Sequence, residues 1–326
     1  MKWKKIFCEK DFLERFLNEK PEESLPGDPE NEKYENWRHL WRMLISSDTT
    51  IGCSESFIQN NIDKDLFRKF LKRKTDGYCN LLFSDQAFVH LSSLKSNPSI
   101  EELSAVYLTN HGQHDHARKH GVINISMEDI PLCAKYFNDN GDAIAKNEEL
   151  SWNEFKDQLK HNCNSLIFVD NYGLKSMENN LFVLLNNLLP INLDVVFNIT
   201  IVSSEFSEQD TIKLKNYLQK NRPYLRYSIQ FLKATIKHND QPKEVNLFHD
   251  RAIITNNIWI EIGGGFDIFR RVNGHCEANK TTTIGFVYPF MTGSTKYCNA
   301  YNFLIEDVND AFNKLKQKPN NRILNL

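Results

Sequence analysis

Paired cysteines are missing from this sequence. Its seven cysteines (Cys8, Cys53, Cys79, Cys133, Cys163, Cys276 and Cys298) fall at irregular intervals, with no C-x-x-C among them. That spacing argues against a disulfide framework and against a zinc site built from cysteines, and it fits free thiols in a reducing cytoplasm. An excess of one charge is missing too. Forty Lys and Arg face 42 Asp and Glu, so no global basic field draws nucleic acid, and any such binding needs a local patch. Nor is there a long apolar run. Charges interrupt the N-terminal stretch MKWKKIFCEKDFLERF every few positions, which argues against a signal peptide or a transmembrane segment. No internal repeat divides the chain.

What is present suffices for two ordinary domains: 326 residues, 40% of them hydrophobic and 12% aromatic, enough to bury real cores. The periodicity predicts an α/β architecture in both halves. "WKKIFC" reads as a strand running into a helix that carries Phe12, Phe16 and Leu17. "KPEESLPGDPENEKYEN", with three prolines and many acids, reads as a loop or lid. Helices are expected over 37–45 and 55–74, the second with Phe57, Ile58, Ile62, Leu66, Phe67, Phe70 and Leu71 on its buried stripe. "YCNLLFSD", "SAVYLTN" and "VINIS" read as short buried strands, and "HDHARKHG" as a helical turn stopped by Gly121. Residues 127–137 close the first domain as a helix. The polar, aperiodic "NDNGDAIAKNEELS" reads as the linker between a domain at 1–140 and a second at 151–326. In that second domain, helices are expected over 152–159, 177–189, 208–220 and 308–316. Strands are expected in "SLIFVDNY", "LDVVFNITIVSS", "RYSIQFLKA", "RAIITN", "IWIEIGG" and "TTTIGFVY", with Asn256-Asn257 as a hairpin junction.

The stretch "NLFHDRAIITNNIWIEIGGGFD", residues 246–267, concentrates the chemistry of the second domain. His249 and Arg251 alternate along a strand and share a face, with Asp250 on the opposite one. The triple glycine centred on Gly264 either brings backbone N–H groups toward an anion or marks a bulge. Asp170 and Asp267 stand at strand ends, where sites collect and where turns are also capped. Together, "IFVDNY" and "FHDRAIITNNIWIEIGGGFDIF" resemble the phospholipase D-like C-terminal domain of MIT-domain proteins, over roughly residues 151–310. In the parent superfamily a His-x-Lys-x4-Asp signature cuts phosphodiesters. The histidine attacks phosphorus, the lysine neutralises phosphate oxygens and the aspartate orients a histidine. The resemblance puts His249 in the nucleophile's place, Arg251 in the lysine's and Asn256 in the aspartate's. Arginine keeps a bidentate grip on phosphate, whereas Asn256 lacks the charge that steadies an imidazolium. There is also one signature where cutting enzymes use two, from one chain or from a dimer. The resemblance therefore implies that Arg251, Asn256, Asp170, Gly264 and Asp267 recognise a phosphorylated ligand or partner. A homodimeric phosphodiesterase using His249 is the catalytic alternative.

In the first domain, "KIFCEKDFL" and "AVYLTNHGQHDHARKHGVINIS" resemble a PIN-like nuclease. Such a domain gathers carboxylates around Mg2+ or Mn2+ to cut nucleic acid, here most plausibly RNA. The resemblance makes Glu9, Asp11 and Asp115 the catalytic metal ligands, with Glu55 or Asp85 as a fourth, although the first is a Glu and His111 stands where an Asp is expected. His116 and His120 share a helix face, a pair that suits a transition metal. A solvated, histidine-rich segment with His111 and His114 is the plainer reading. "FRKFLKRK" puts five positive charges on an outer helix face, either simply solvated or tracking a nucleic-acid backbone. The combined expectation is a cytoplasmic two-module effector, a metal-dependent nuclease joined to a phosphate-sensing module, of the kind used in bacterial antiviral defence. The contrasting expectation is an inactive interaction or membrane-surface module.

Overall fold

The computed structural model describes residues 5–325 apart from 27, 47–48, 54, 62–63, 66, 70–71, 73–79, 84–90, 92–93, 95–97, 138–139, 171–176, 205, 234, 238–243, 247–250, 264 and 293. The fold is α/β. The chain divides into two units, Met1–Asn138 with Tyr288–Asn299, and Asp139–Val287 with Ala300–Leu326.

Among the described residues, the sheet of the first unit has five parallel strands: β1 (Ile6–Cys8), β2 (Thr49–Cys53), β3 (Asn80–Phe83), β4 (Val106–Thr109) and β5 (Ile123–Ser126), in the order β3-β2-β1-β4-β5. Every residue of β1, β4 and β5 is buried, as in a parallel sheet covered on both faces. Helix α1 (Lys10–Asn18) supplies Phe12, Leu13, Phe16 and Leu17 as its buried stripe. Phe16 stacks on Trp37 of α2 (Pro29–Ser46) with ring centroids 4.8 Å apart, and the Trp37 indole donates to the Phe16 carbonyl at 3.0 Å. Much of the stretch read as a lid is thus helix. Pro29 is its first residue, where a missing N–H costs nothing, and the Asp28 carboxylate accepts the Glu30 N–H at 2.9 Å. The helix expected over 55–74 is interrupted: α3 (Glu55–Asn60) ends in a turn at Asn61, and helical backbone resumes at residues 65, 67–69 and 72. Two further helices follow, α4 (Ile100–Ser104) and α5 (His114–His120). The latter ends where Gly121 takes a left-handed φ of 65°. The single helix expected over 127–137 is instead a 3-10 segment, Met127–Leu132, and one α turn, Ala134–Phe137, because Pro131 interrupts it.

The second unit contains β6 (Asn140–Ile144), β7 (Ser165–Val169), β8 (Phe197–Ser203), β9 (Tyr227–Lys233), β10 (Thr235–Lys237), β11 (Glu244–Asn246), β12 (Ala252–Thr255), β13 (Trp259–Ile262), β14 (Phe269–Val272), β15 (His275–Ala278) and β16 (Thr282–Val287). Seven of them make one mixed sheet, β6-β16-β13-β12-β7-β8-β9, in which β7, β8 and β9 run parallel and the remaining pairs antiparallel. The pairs β10–β11 and β14–β15 are separate ribbons. Helices α6 (Leu181–Leu188) and α7 (Glu208–Asn221) belong to this unit, as does α8 (Thr295–Lys314) from Ala300 onward. The helix expected over 152–159 is a 3-10 turn, Trp152–Phe155, followed by one α turn, Lys156–Leu159. The segment read as a linker carries β6, which pairs with β16 from Asn140 opposite Phe286 to Ile144 opposite Thr282. Its Gly141, Asp142 and Ala143 are exposed, so this edge strand shows none of the alternation that reveals a half-buried one. The β14–β15 hairpin also escapes the periodicity. Its turn, Asn273-Gly274, has φ of 49° and 91°, the left-handed pair of a type I′ turn. Among the described residues no helix is long and apolar enough to cross a membrane.

Candidate functional site

Alternating strand direction gathers four chain segments on one edge of the seven-stranded sheet. β12 is antiparallel to β7, β13 to β12 and β16 to β13. The end of β7, the start of β12, the end of β13 and the start of β16 therefore lie side by side. Asp170 follows β7, Arg251 precedes β12, residues 263–267 follow β13, and Lys280 stands just before β16.

Asp170 is the buried centre of this edge, 2% exposed. Its Oδ2 accepts the Phe266 N–H at 2.6 Å, and its Oδ1 lies 3.9 Å from Arg251 Nε. Gly265 lets the three meet. Its φ is 94°, and a Cβ there would come within 2.9 Å of Arg251 Cδ and 3.0 Å of both Arg251 Nη1 and Asp170 Oδ2. Only a residue without a side chain allows that approach. Asp267 is anchored alongside. Its carboxylate accepts from Asn180 Nδ2 at 3.3 Å, and its carbonyl accepts from Asn279 Nδ2 at 3.0 Å. Asn180 is fully buried and also brackets the Phe269 backbone, donating to its carbonyl at 2.9 Å and accepting its N–H at 3.0 Å. Burial pulls the Lys280 ammonium below the usual lysine range. The charge of Asp267 opposes that shift, Arg251 adds to it and Asp170 opposes it. Two cations and two carboxylates thus share one sheltered edge, with the Arg251 guanidinium at ion-pair distance from a buried acid. Such an arrangement offers pre-ordered donors to an anion.

Of the residues expected at this site, Asp170, Arg251 and Asp267 come together. His249, Asp250 and Gly264 lie outside the described residues. Asn256 is a correction. It sits at the other end of β12 from Arg251, five residues along, roughly 16 Å away at the rise of an extended strand. There it is 2% exposed and its side-chain oxygen accepts the Asn164 N–H at 2.9 Å, so it anchors a turn and does not reach the edge that holds Arg251. His161 belongs to the same turn. Its Nδ1–H donates to the Leu159 carbonyl at 2.8 Å, and its Nε2 meets the Thr255 hydroxyl at 3.0 Å. That hydroxyl also accepts the Asn257 and Ile258 N–H groups. Sequence reasoning missed Asn180 and Lys280. Lys280 reaches this edge through the pairing of β16 with β13, which local sequence does not show.

In the first unit the strand order reverses between β1 and β4, and the crevice beyond their carboxyl ends is where sheets of this type collect ligands. Glu9 follows β1, and Asn110 and His111 follow β4. Glu9 accepts the Asn110 N–H at 2.9 Å and reaches Gln113 Nε2 at 3.5 Å. Arg15 donates to Asn110 Oδ1 at 3.0 Å and pairs with Glu128 at 3.2 Å and Glu19 at 3.1 Å. Asp11 is exposed on the first turn of α1. Asp115 is also exposed and pairs with Arg118 at 2.8 Å. Among the described residues no three His, Cys, Asp or Glu side chains stand where they could hold a metal ion. The expected Glu9–Asp11–Asp115 set is therefore not assembled: α5 turns Asp115 outward to its own helical ion pair. Asp85 and the side chain of Glu55 lie outside the described residues. The His116 and His120 rings are 4.6 Å apart, but His120 is buried and its Nδ1–H donates to the His116 carbonyl at 3.0 Å, a contact internal to the helix.

Compared with known proteins, the chain matches no family model and no curated sequence.

Proposed function

We propose that the second unit binds a phosphorylated ligand at the edge formed by Asp170, Arg251 and Gly265, and that its work is recognition rather than hydrolysis. The observation that carries this reading is the meeting of Arg251 with a buried carboxylate against a glycine that leaves no room for a side chain. A guanidinium oriented before the ligand arrives loses less freedom on binding, and its fork matches phosphate oxygens. Titration calorimetry with inorganic pyrophosphate tests it. Arg251→Ala should weaken binding about tenfold or more, the worth of a charge-assisted hydrogen bond. Equal binding by the variant would rule the reading out. Metal-independent hydrolysis of a phosphodiester, lost in His249→Ala, would instead make this unit an enzyme.

A second reading is favoured by Glu9 at the point of strand reversal: the first unit handles nucleic acid, with exposed Arg68, Lys69 and Lys72 near a phosphate backbone. The described side chains do not make a metal site, so no metal-dependent step is derived. RNA cleavage in Mg2+ that is abolished by Glu9→Gln would support this reading, and no cleavage by the intact chain would remove it. A cytoplasmic two-part effector in antiviral defence is the wider role that such a pair of units suits.

A further inference from the structure

Arg251 is not the only cation on the ligand edge. Lys280 rises from the turn between β15 and β16, and that turn is fastened to the segment after β13. The Asn279 N–H donates to the Ile268 carbonyl at 2.8 Å, and the Asn279 side chain donates to the Asp267 carbonyl at 3.0 Å. β16 and β12 flank β13, so the starts of these two strands stand roughly 10 Å apart across it. Lysine and arginine side chains span such a gap from opposite sides. We propose that Lys280 is a ligand-binding residue that closes a two-cation cradle with Arg251 over the turn at Gly265.

This rests on the phosphate-binding reading of the same edge and adds to it the residue that sequence patterning gave no reason to choose. Lys280 is half-buried and shares its surroundings with Asp267, Arg251 and Asp170. Holding a lysine where burial disfavours its charge is costly, and the two carboxylates offset that cost. Among the described residues they also balance the two cations, which stand near each other before an anion arrives. A phosphoryl group would then bridge the pair.

The rival role for Lys280 is as a counter-ion to Asp267 alone, and calorimetry with inorganic pyrophosphate separates the two. For a ligand-binding residue, Lys280→Met weakens binding about tenfold or more while Lys280→Arg keeps most of it. Removing the charge of Asp267 as well, in Lys280→Met with Asp267→Asn, brings no recovery. For a mere counter-ion the double variant returns to wild-type affinity, and that result overturns the proposal. Unchanged binding by Lys280→Met overturns it too, and if Arg251→Ala is still weakened the phosphate-binding reading survives. Absence of pyrophosphate binding by the intact protein overturns both. Melting curves of each variant confirm that the comparison is made between folded proteins.

Discussion

Gly265 meets two separate demands. Its φ of 94° lies in a region that residues with a Cβ rarely adopt, and the space a Cβ would take is already filled by Arg251 and Asp170. Gly274 has a similar φ of 91°, yet nothing stands within 4 Å of where its Cβ would be. Comparing the two isolates the cost of crowding from that of backbone strain. Gly274→Ala meets only the conformational penalty, about 1 kcal/mol. Gly265→Ala should cost more, about 2–4 kcal/mol by adding steric displacement of the ion pair, and it should weaken pyrophosphate binding as Arg251 is pushed aside. Denaturant unfolding of both variants checks this. Equal destabilisation would mean that the Arg251 side chain moves away at no cost and that Gly265 is not needed for the site.

The two ends of β12 look alike in sequence, each with a polar residue beside a short apolar run, but they do different work. At one end Asp170 meets Arg251 and accepts the Phe266 N–H. At the other, Asn256 accepts the Asn164 N–H. Asp170→Ala and Asn256→Ala each leave a buried backbone donor without its acceptor, so each should lower stability by about 1–3 kcal/mol. Only Asp170→Ala should also lower pyrophosphate affinity. A parallel loss in Asn256→Ala, measured at a temperature where it is folded, would return that residue to the ligand site. The contrast shows where the sequence is legible. Runs such as "SLIFVDNY" and "INIS" declare buried strands because both of their faces are covered, and Gly121 declares a helix end because of its left-handed backbone. Asp170 and Asp267 could be picked out as strand-end residues, and Arg251 by its place in the resembled signature. A fixed spacing copied from a signature did not reveal that Asn256 points to a turn, since separation along a strand says nothing about which edge of the sheet a residue reaches. Lys280 and Asn180 depend on strand order, which is a property of the whole sheet. Asp115 failed as an expected metal ligand for a local reason, because a partner three residues away, Arg118, was ready to hold it at the surface.

Chain division is decided by pairing across the whole molecule rather than by local polarity. The segment 139–150 looks like a tether but is part of the second unit. Beyond the β6–β16 pairing, the Asn147 N–H donates to the Ala278 carbonyl at 2.8 Å and the Ala278 N–H to the Glu148 carbonyl at 2.9 Å. Ile144 is 2% exposed, and burying such a side chain is worth about 1.5–3 kcal/mol. A fragment starting at 151 therefore loses buried apolar surface and leaves β16 as an unpaired edge, open to association with other chains. A fragment starting at 139 keeps both. The two share everything from 151 onward, so their difference reports on this segment alone. The longer fragment should melt about 4–8 °C higher, as about 2 kcal/mol implies for a unit of this size, and should stay monomeric at concentrations where the shorter one associates. Because Ala278 lies two residues before Lys280, the shorter fragment should also bind pyrophosphate more weakly even where it remains folded. Identical melting and equal affinity in the two fragments would mean that 139–150 is the tether its composition suggests, and that the Lys280 turn is held by Asn279 alone.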